Sequence, residues 1–262
     1  ILGFAGRQVA KIGTAFDAQN HESTLDYLFG GVFSKIIDYL LIFFLFGISV
    51  TMIAGAGSTF EESFGIPTWL GALIMVIAIY ITLLMDFNKI VRALGMVTPF
   101  LIILVVIIAI FYLFNGNISI AEVNKTVPEA SIWKGILYGI IYGGLAFAVG
   151  FSTIVAIGGD ASKRKISGAG ALFGGVVYTI LLALINFALQ SEYPTIKEAS
   201  IPTLTLANEI NPWIGLVLSI IMLAVMYNTI LGLTYSFAAR FTEPYSKNYH
   251  VFIFAMVLVA YA

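Results

Sequence analysis

The sequence predicts an all-α protein that crosses a membrane several times. Of its 262 residues, 60% are hydrophobic and 10% are charged, and the mean hydropathy is +1.00. Soluble domains contain about 45–50% apolar and about 25% charged residues, so this composition indicates a chain embedded in lipid. The apolar runs continue for about 20 residues or more, as spanning helices do, whereas barrel strands are about ten residues long and alternate in character.

Six apolar runs are long enough to span, and a seventh is shorter. The complete spans are expected at residues 36–57, 66–85, 93–114, 133–159, 166–189 and 213–239, and the partial run covers 249–262. Before them, Ile1–Gly6 is typical of the end of a helix, and we expect Arg7–Phe33 to form a connecting loop or a short interfacial helix. We interpret residues 1–262 as one transmembrane domain, and expect the full protein to continue beyond both ends.

The distribution of basic residues predicts an orientation. Because loops rich in lysine and arginine remain in the cytoplasm, the side of the predicted spans that carries most of them is assigned to the cytoplasm. All three tryptophans, Trp69, Trp133 and Trp213, then fall at outer ends of spans, where their rings favour the headgroup region. We expect a multi-pass protein of the cell membrane, specifically a bacterial inner membrane. The residues assigned to the cytoplasm are Arg7, Lys11, Lys35, Lys89, Arg92, Lys163, Arg164, Lys165, Arg240 and Lys247.

The glycine-rich span Trp133–Gly159 is the first candidate site. Its pair Gly143–Gly144 predicts an interruption, because glycine costs a helix about 1 kcal/mol relative to alanine. Interrupted helices form solute sites in secondary transporters, since the freed N–H and C=O groups bind charged ligands. Tyr138, Tyr142 and Phe147 are the side chains expected to contact a substrate. The alternative is a continuous helix whose glycines serve packing only.

A second candidate site lies near the middle of the span 213–239. There Asn228 and Thr229 place an amide and a hydroxyl at membrane depth, and side-chain oxygens of this kind are suited to Na⁺. Helix–helix hydrogen bonding is the alternative interpretation for this pair. For Thr234 and Ser236, nearer the cytoplasm, bonding to the backbone four residues back is favoured.

No enzyme signature is present, and nothing indicates binding to nucleic acid. The absence of cysteine excludes disulfides, thiolate metal sites and cysteine catalysis. The two histidines, His21 and His250, lie in predicted cytoplasmic loops without a partner at metal-ligand spacing. The acidic residues Asp38, Asp86 and Asp160 fall at the cytoplasmic ends of spans, which favours interfacial positions over a role in proton coupling.

Several stretches together resemble the YkvI-like family of uncharacterised bacterial membrane proteins. That family is similar to members of the amino acid–polyamine–organocation superfamily, which have the LeuT-type fold of two inverted five-helix repeats. The order and spacing of the spans also match over nearly the whole chain. The stretches that carry the resemblance are Thr51–Glu62, Gly65–Gly71, Ile136–Tyr142, Leu145–Val149, and Gly158 followed by Lys163–Lys165.

The resemblance implies that this chain runs from the end of helix 2 to the start of helix 9 of a LeuT-like bundle. The glycine-rich span would be helix 6, one of the two broken helices, and the other, helix 1, would lie outside the chain. Helix 8 supplies oxygens to a sodium site in sodium-coupled relatives, at positions that look like Asn228 and Thr229. Asn228 stands where a hydroxyl residue is expected, and Gly143 stands where family members usually carry an asparagine.

These features predict a secondary transporter, or permease, for a small solute such as an amino acid. It would work by alternating access, with Na⁺ or H⁺ as the candidate coupling ion and no other cofactor. The lipid bilayer and the small-molecule substrate are the expected partners. The alternative is a receptor or accessory membrane subunit that keeps the fold and binds ligand without transporting it.

Overall fold

A computed structural model describes residues 2–18, 21–85, 96–116, 131–242 and 246–261. Within these ranges the regular secondary structure is entirely α-helical. The helices are α1 (Leu2–Phe16), α2 (Glu22–Phe29), α3 (Gly31–Phe64), α4 (Thr68–Leu83), α5 (Thr98–Asn115), α6 (Ile132–Gly159), α7 (Arg164–Ser191), α8 (Tyr193–Ile196), α9 (Pro202–Ile210), α10 (Pro212–Phe241) and α11 (Lys247–Tyr261).

The helices confirm a multi-pass membrane protein. Among the described residues, α3, α5, α6, α7 and α10 are each long and apolar enough to cross a bilayer. At each predicted span the structure has an apolar helix. The helix at the predicted span 66–85 is shorter than expected, because α4 has only 16 residues, or about 24 Å at 1.5 Å per residue. Pro67 stands immediately before α4 and has a non-helical conformation, which sets the start of the helix.

The segment after Gly6 is not a loop. Helix α1 continues the first apolar residues as far as Phe16, and α2 follows as a short second helix. The connecting-loop interpretation of Arg7–Phe33 is therefore wrong for most of this stretch, and the short-helix alternative describes α2. Small residues of α1 pack closely on α6, and these contacts between distant parts of the chain are not visible in the local sequence.

Helix α6 is continuous, so the predicted interruption at Gly143–Gly144 is wrong. The helix runs without a break from Ile132 to Gly159. An unpaired backbone group in lipid costs several kcal/mol, whereas each glycine costs only about 1 kcal/mol. Among the described residues, no neighbouring atom lies within 4 Å of the Cβ position at either glycine, so no adjacent element is there to replace broken helix hydrogen bonds.

The described chain divides into two compact units. The first comprises the described residues within 1–42 and 124–183, and the second those within 43–123 and 184–262. Helices α3 and α7 contribute to both. In the first unit, a core forms where α1, α2, α3 and α6 meet. Its fully buried members are Val9, Ala18, Leu25, Phe151 and Val155.

The second unit contains two apolar cores. One joins α3, α4, α10 and α11, with Ile79, Leu83, Ile230 and Ile253 essentially inaccessible to solvent. The other joins α5 and α9 to neighbouring segments of α7 and α10 around Tyr112, whose hydroxyl donates to the Leu206 carbonyl at 3.0 Å. These cores consist of Ile, Leu, Val, Ala, Met and aromatic residues, as expected for helices held together by packing in lipid.

Several sequence predictions fall outside the described residues. They concern Asp86, the basic residues Lys89 and Arg92, and the start of the predicted span 93–114. The side chains of Ser236 and Arg240 are also outside the described part of the structure.

Candidate functional site

His21 is a buried polar residue beside the core of the first unit. Helix α1 ends at Phe16, and Asp17 then adopts a left-handed conformation with φ 47°, which aspartate tolerates better than most residues. His21 precedes α2 as its N-cap residue, but its side chain makes no capping hydrogen bond. The imidazole instead points into the core and is 7% exposed.

Two glycines form the turn between α2 and α3, and this turn brings Asp38 close to His21. Gly30 and Gly31 have φ values of 65° and 44°, and two successive residues in this region strongly favour glycine because it has no Cβ. Helix α3 then begins at Gly31 and carries Asp38. The aspartate was predicted to be interfacial. Its side chain is 14% exposed, so it is largely withdrawn from solvent.

His21 uses both ring nitrogens in a hydrogen-bonded chain. Its Nε2 lies 2.6 Å from Oδ1 of Asp38, and its Nδ1 lies 2.7 Å from Oγ of Ser152 on α6. The Phe151 ring lies beside the imidazole with a centroid separation of 6.2 Å. The start of α2, the neighbouring helix α3 and the distant helix α6 therefore meet at one imidazole.

The chemistry of the three groups allows two protonation states in the same geometry. An ionised carboxylate only accepts, so the neutral imidazole carries its proton on Nε2 and accepts from the Ser152 hydroxyl at Nδ1. After proton uptake, Nδ1 also becomes a donor, and the hydroxyl rotates to accept. Both protonation states of the imidazole therefore satisfy the same two contacts, to Asp38 and to Ser152.

A second polar cluster anchors α1 against α6 and α7. The Thr14 hydroxyl lies 2.6 Å from the Gly158 carbonyl oxygen and 2.6 Å from Oγ of Ser167. This approach requires small residues, because a Cβ at Gly13 would overlap the Val155 carbonyl, and one at Gly158 would overlap Ala10. Close crossings between small residues are common between membrane helices. They hold Ser152, on the same helix, in position beside α2.

The structure brings together only part of the predicted substrate site. Tyr142 and Phe147 line a groove of about 560 Å³ between α1, α6 and α7. The Tyr142 hydroxyl lies 3.4 Å from that of Tyr178 on α7, and the rest of the described lining is apolar or glycine. Tyr138, Gly143 and Gly144 are not among the lining residues. Because α6 is continuous, it offers no freed backbone groups at the glycine pair.

At the second predicted site, Asn228 and Thr229 differ in their hydrogen bonding. The Thr229 hydroxyl donates to the Val225 carbonyl at 2.9 Å, which is backbone bonding four residues back along the helix. Oδ1 of Asn228 is buried and has no hydrogen-bond partner within the part of the chain that the structure describes. One buried carbonyl oxygen is a possible cation ligand but does not make a site. The described residues also contain no cluster of three or more His, Asp or Glu side chains that could hold a metal ion.

Sequence reasoning missed the His21 chain because its members are separated by long stretches of sequence. His21 and Ser152 are 131 positions apart, and no local pattern connects them. One signal was available: a single histidine between two apolar segments, followed by an aspartate near the start of a span. Such a pair is a candidate for a buried ionic contact.

The comparisons with known proteins identify two similar proteins, one of them a membrane protein, but no function. The chain is 24% identical over 257 residues to the uncharacterized membrane protein YkvI of Bacillus subtilis (strain 168), covering 97% of this chain and 72% of the relative. It is also 24% identical over 223 residues to the uncharacterized protein YyaD of the same organism, covering 73% of this chain and 65% of YyaD. No protein-family model and no solved structure matches it. The chain is thus a multi-pass membrane protein, helical in the residues that the structure describes, and similar to YkvI over most of its length.

Proposed function

We propose that this protein is a secondary transporter for a small organic solute and that protons drive it through the Asp38–His21–Ser152 chain. The observation that carries the proposal is the burial of a histidine and an aspartate together in the core of a membrane protein. Ionisable groups are expensive in such surroundings, and where they occur they mark ion pathways and proton relays. The protein would act in the bacterial cell membrane, with His21 on the cytoplasmic side.

Protonation at His21 would affect the packing of three helices at once. The imidazole contacts Asp38 on α3 and Ser152 on α6, and it lies at the start of α2. A proton on His21 turns its contact with Asp38 into an ion pair and reverses the hydrogen bond to Ser152. Protons therefore bias these contacts, and a bias of this kind is what couples an ion gradient to a change of conformation.

The groove between α1, α6 and α7 is the proposed solute site within the first unit. Its volume of about 560 Å³ suits a small organic molecule, because ligand pockets are about 300–1,000 Å³. The hydroxyls of Tyr142 and Tyr178 provide hydrogen bonds, while the remaining described lining is apolar. We therefore expect uncharged or apolar side chains to be preferred among amino acids over lysine or glutamate.

The test is uptake by the full-length protein in liposomes. A panel of labelled amino acids is offered under an imposed pH gradient, an imposed Na⁺ gradient, or neither. Hydrogen bonds to charged groups contribute about 1.5–3 kcal/mol, so Asp38→Asn and His21→Gln are expected to lower proton-driven accumulation about tenfold or more. Exchange of labelled for unlabelled solute, which needs no net proton movement, should continue in both variants.

Asp26→Asn is the matched control for Asp38→Asn. Asp26 is an exposed carboxylate on α2, so this variant removes the same charge outside the chain of hydrogen bonds. It should transport like the wild type. Accumulation that follows the Na⁺ gradient, or that persists unchanged in Asp38→Asn, would refute proton coupling through this group.

A non-transporting receptor or accessory subunit is the second candidate function. The unbroken helix α6 favours it, because transporters of the type that the sequence resembles use interrupted helices at the solute site. Solute binding by the reconstituted protein without flux under any gradient would establish this alternative and exclude the transporter.

A further inference from the structure

A second cavity in the first unit has a different chemical character. It measures about 770 Å³ and lies between α1, the start of α7 and the end of α2. Four basic side chains converge on it from two helices: Arg7 and Lys11 from α1, and Arg164 and Lys165 from α7. We refer to it as the basic groove. The proton chain and the solute groove use none of these four residues.

Within the part of the chain that the structure describes, the four cations of the basic groove have no carboxylate partner. Among the described residues, no Asp or Glu oxygen lies within 4.0 Å of any of the four, and no acidic side chain lines the groove. Asp17 and Asp26 follow or precede the lining residues Phe16 and Tyr27 in sequence but are not part of the wall. Cations held close together without counter-charges repel one another, and a bound anion removes that repulsion.

Apart from Gln8, the remaining described wall of the basic groove is apolar and aromatic. Phe16 and Tyr27 form a ring pair with centroids 5.2 Å apart, and Leu172 lines the groove two turns into α7. Arg164 and Leu172 are eight positions apart, which corresponds to about 12 Å along a helix. The groove therefore has charge at the start of a spanning helix and apolar surface deeper along it. A soluble anion would use only the charged part.

We infer that the basic groove binds the headgroup of an anionic phospholipid, with the phosphates on the four cations and an upper acyl chain on Leu172. Basic pockets between transmembrane helices on the cytoplasmic side bind such headgroups. The predicted orientation places Arg7, Lys11, Arg164 and Lys165 on that side. The two pairs of cations match the two phosphates of cardiolipin, which is the lipid chosen for the test.

Binding is measured on the full-length protein in detergent by native mass spectrometry during titration with cardiolipin or phosphatidylethanolamine. Each basic residue near an anionic surface contributes about fivefold in affinity, so removing a pair should weaken cardiolipin binding about thirtyfold. The two variants are Arg7→Gln with Lys11→Gln, and Arg164→Gln with Lys165→Gln. Glutamine keeps part of the aliphatic stem that packs against Gly168 in the case of Lys11. If one of these double variants does not fold, the binding of cardiolipin by the other still tests the inference.

The control removes two lysines elsewhere in the described chain, Lys134 at the start of α6 and Lys197 after α8. Lys134→Gln with Lys197→Gln changes the net charge equally and should leave cardiolipin binding unchanged. Inorganic phosphate in large excess should not displace the lipid. The inference is overturned if phosphatidylethanolamine binds as tightly as cardiolipin, if phosphate displaces cardiolipin, or if both groove variants bind cardiolipin like the control.

Discussion

Substituting glycines of α6 by alanine tests both the packing of this helix and its continuity. At Gly158, the added Cβ would overlap the Ala10 carbonyl oxygen and would lie 2.9 Å from Ala10 Cα. These are backbone atoms, so α1 must move. Overpacking of this kind costs about 1–3 kcal/mol, while the better helix propensity of alanine returns up to about 1 kcal/mol. We expect Gly158→Ala to destabilise the protein by about 1–2 kcal/mol.

The same substitution at Gly143 and Gly144 should have the opposite effect. No neighbouring atom in the described chain lies within 4 Å of either Cβ position, so only the gain in helix propensity remains. At about 2–4 °C per kcal/mol, Gly158→Ala should lower the apparent melting temperature of the detergent-purified protein by about 2–8 °C. The Gly143→Ala, Gly144→Ala double variant should raise it by about 4–8 °C.

Thermal unfolding followed by intrinsic fluorescence is the assay, at one protein concentration and one scan rate, because unfolding of such proteins is often irreversible. If the double variant melted lower than the wild type, α6 would need its glycines for an interrupted backbone, and the continuous helix would be refuted. If Gly158→Ala left the melting temperature unchanged, α1 and α6 would not be in the close contact described between Ala10 and Gly158.

Three further substitutions follow from contacts in the structure. Asn228→Leu removes a buried oxygen that has no partner among the described residues. It should stabilise the protein in Na⁺-free buffer by about 1 kcal/mol, and adding Na⁺ should not raise the melting temperature of the variant further. A melting temperature below that of the wild type in Na⁺-free buffer would contradict this. The hydroxyls of Ser63 and Ser219 are 2.5 Å apart, so a double-mutant cycle with alanine should give a coupling energy of about 0.6 kcal/mol. A coupling energy of zero would show that the two hydroxyls do not form this hydrogen bond. Tyr178→Phe should raise the solute KM about threefold to tenfold, whereas Tyr138→Phe, outside the groove, should leave it unchanged; equal effects would exclude the groove as the solute site.

The sequence predicted apolar helices where the structure has them, whereas the predicted substrate contacts stay predictions. Every predicted span coincides with an apolar helix, because a run of Leu, Ile, Val and Phe is apolar whatever surrounds it. Tyr142 and Phe147 were predicted as substrate contacts and do share a groove. The interruption at Gly143–Gly144 was predicted from composition. Composition gives the cost of glycine but not the larger cost of unpaired backbone groups at that position.

The sequence alone shows that this chain is a set of apolar helices suited to a membrane, and in which parts of the chain the long ones lie. That is so because helix formation and partition into lipid depend on residues close together in the chain. Only the tertiary structure decided that His21, Asp38 and Ser152 meet, and that Arg7, Lys11, Arg164 and Lys165 face one groove. These groups come from separate helices, and their meeting depends on how small residues let α1 approach α6 and on the turn at Gly30–Gly31. Packing of this kind is a property of pairs of surfaces, which no single segment of the sequence contains.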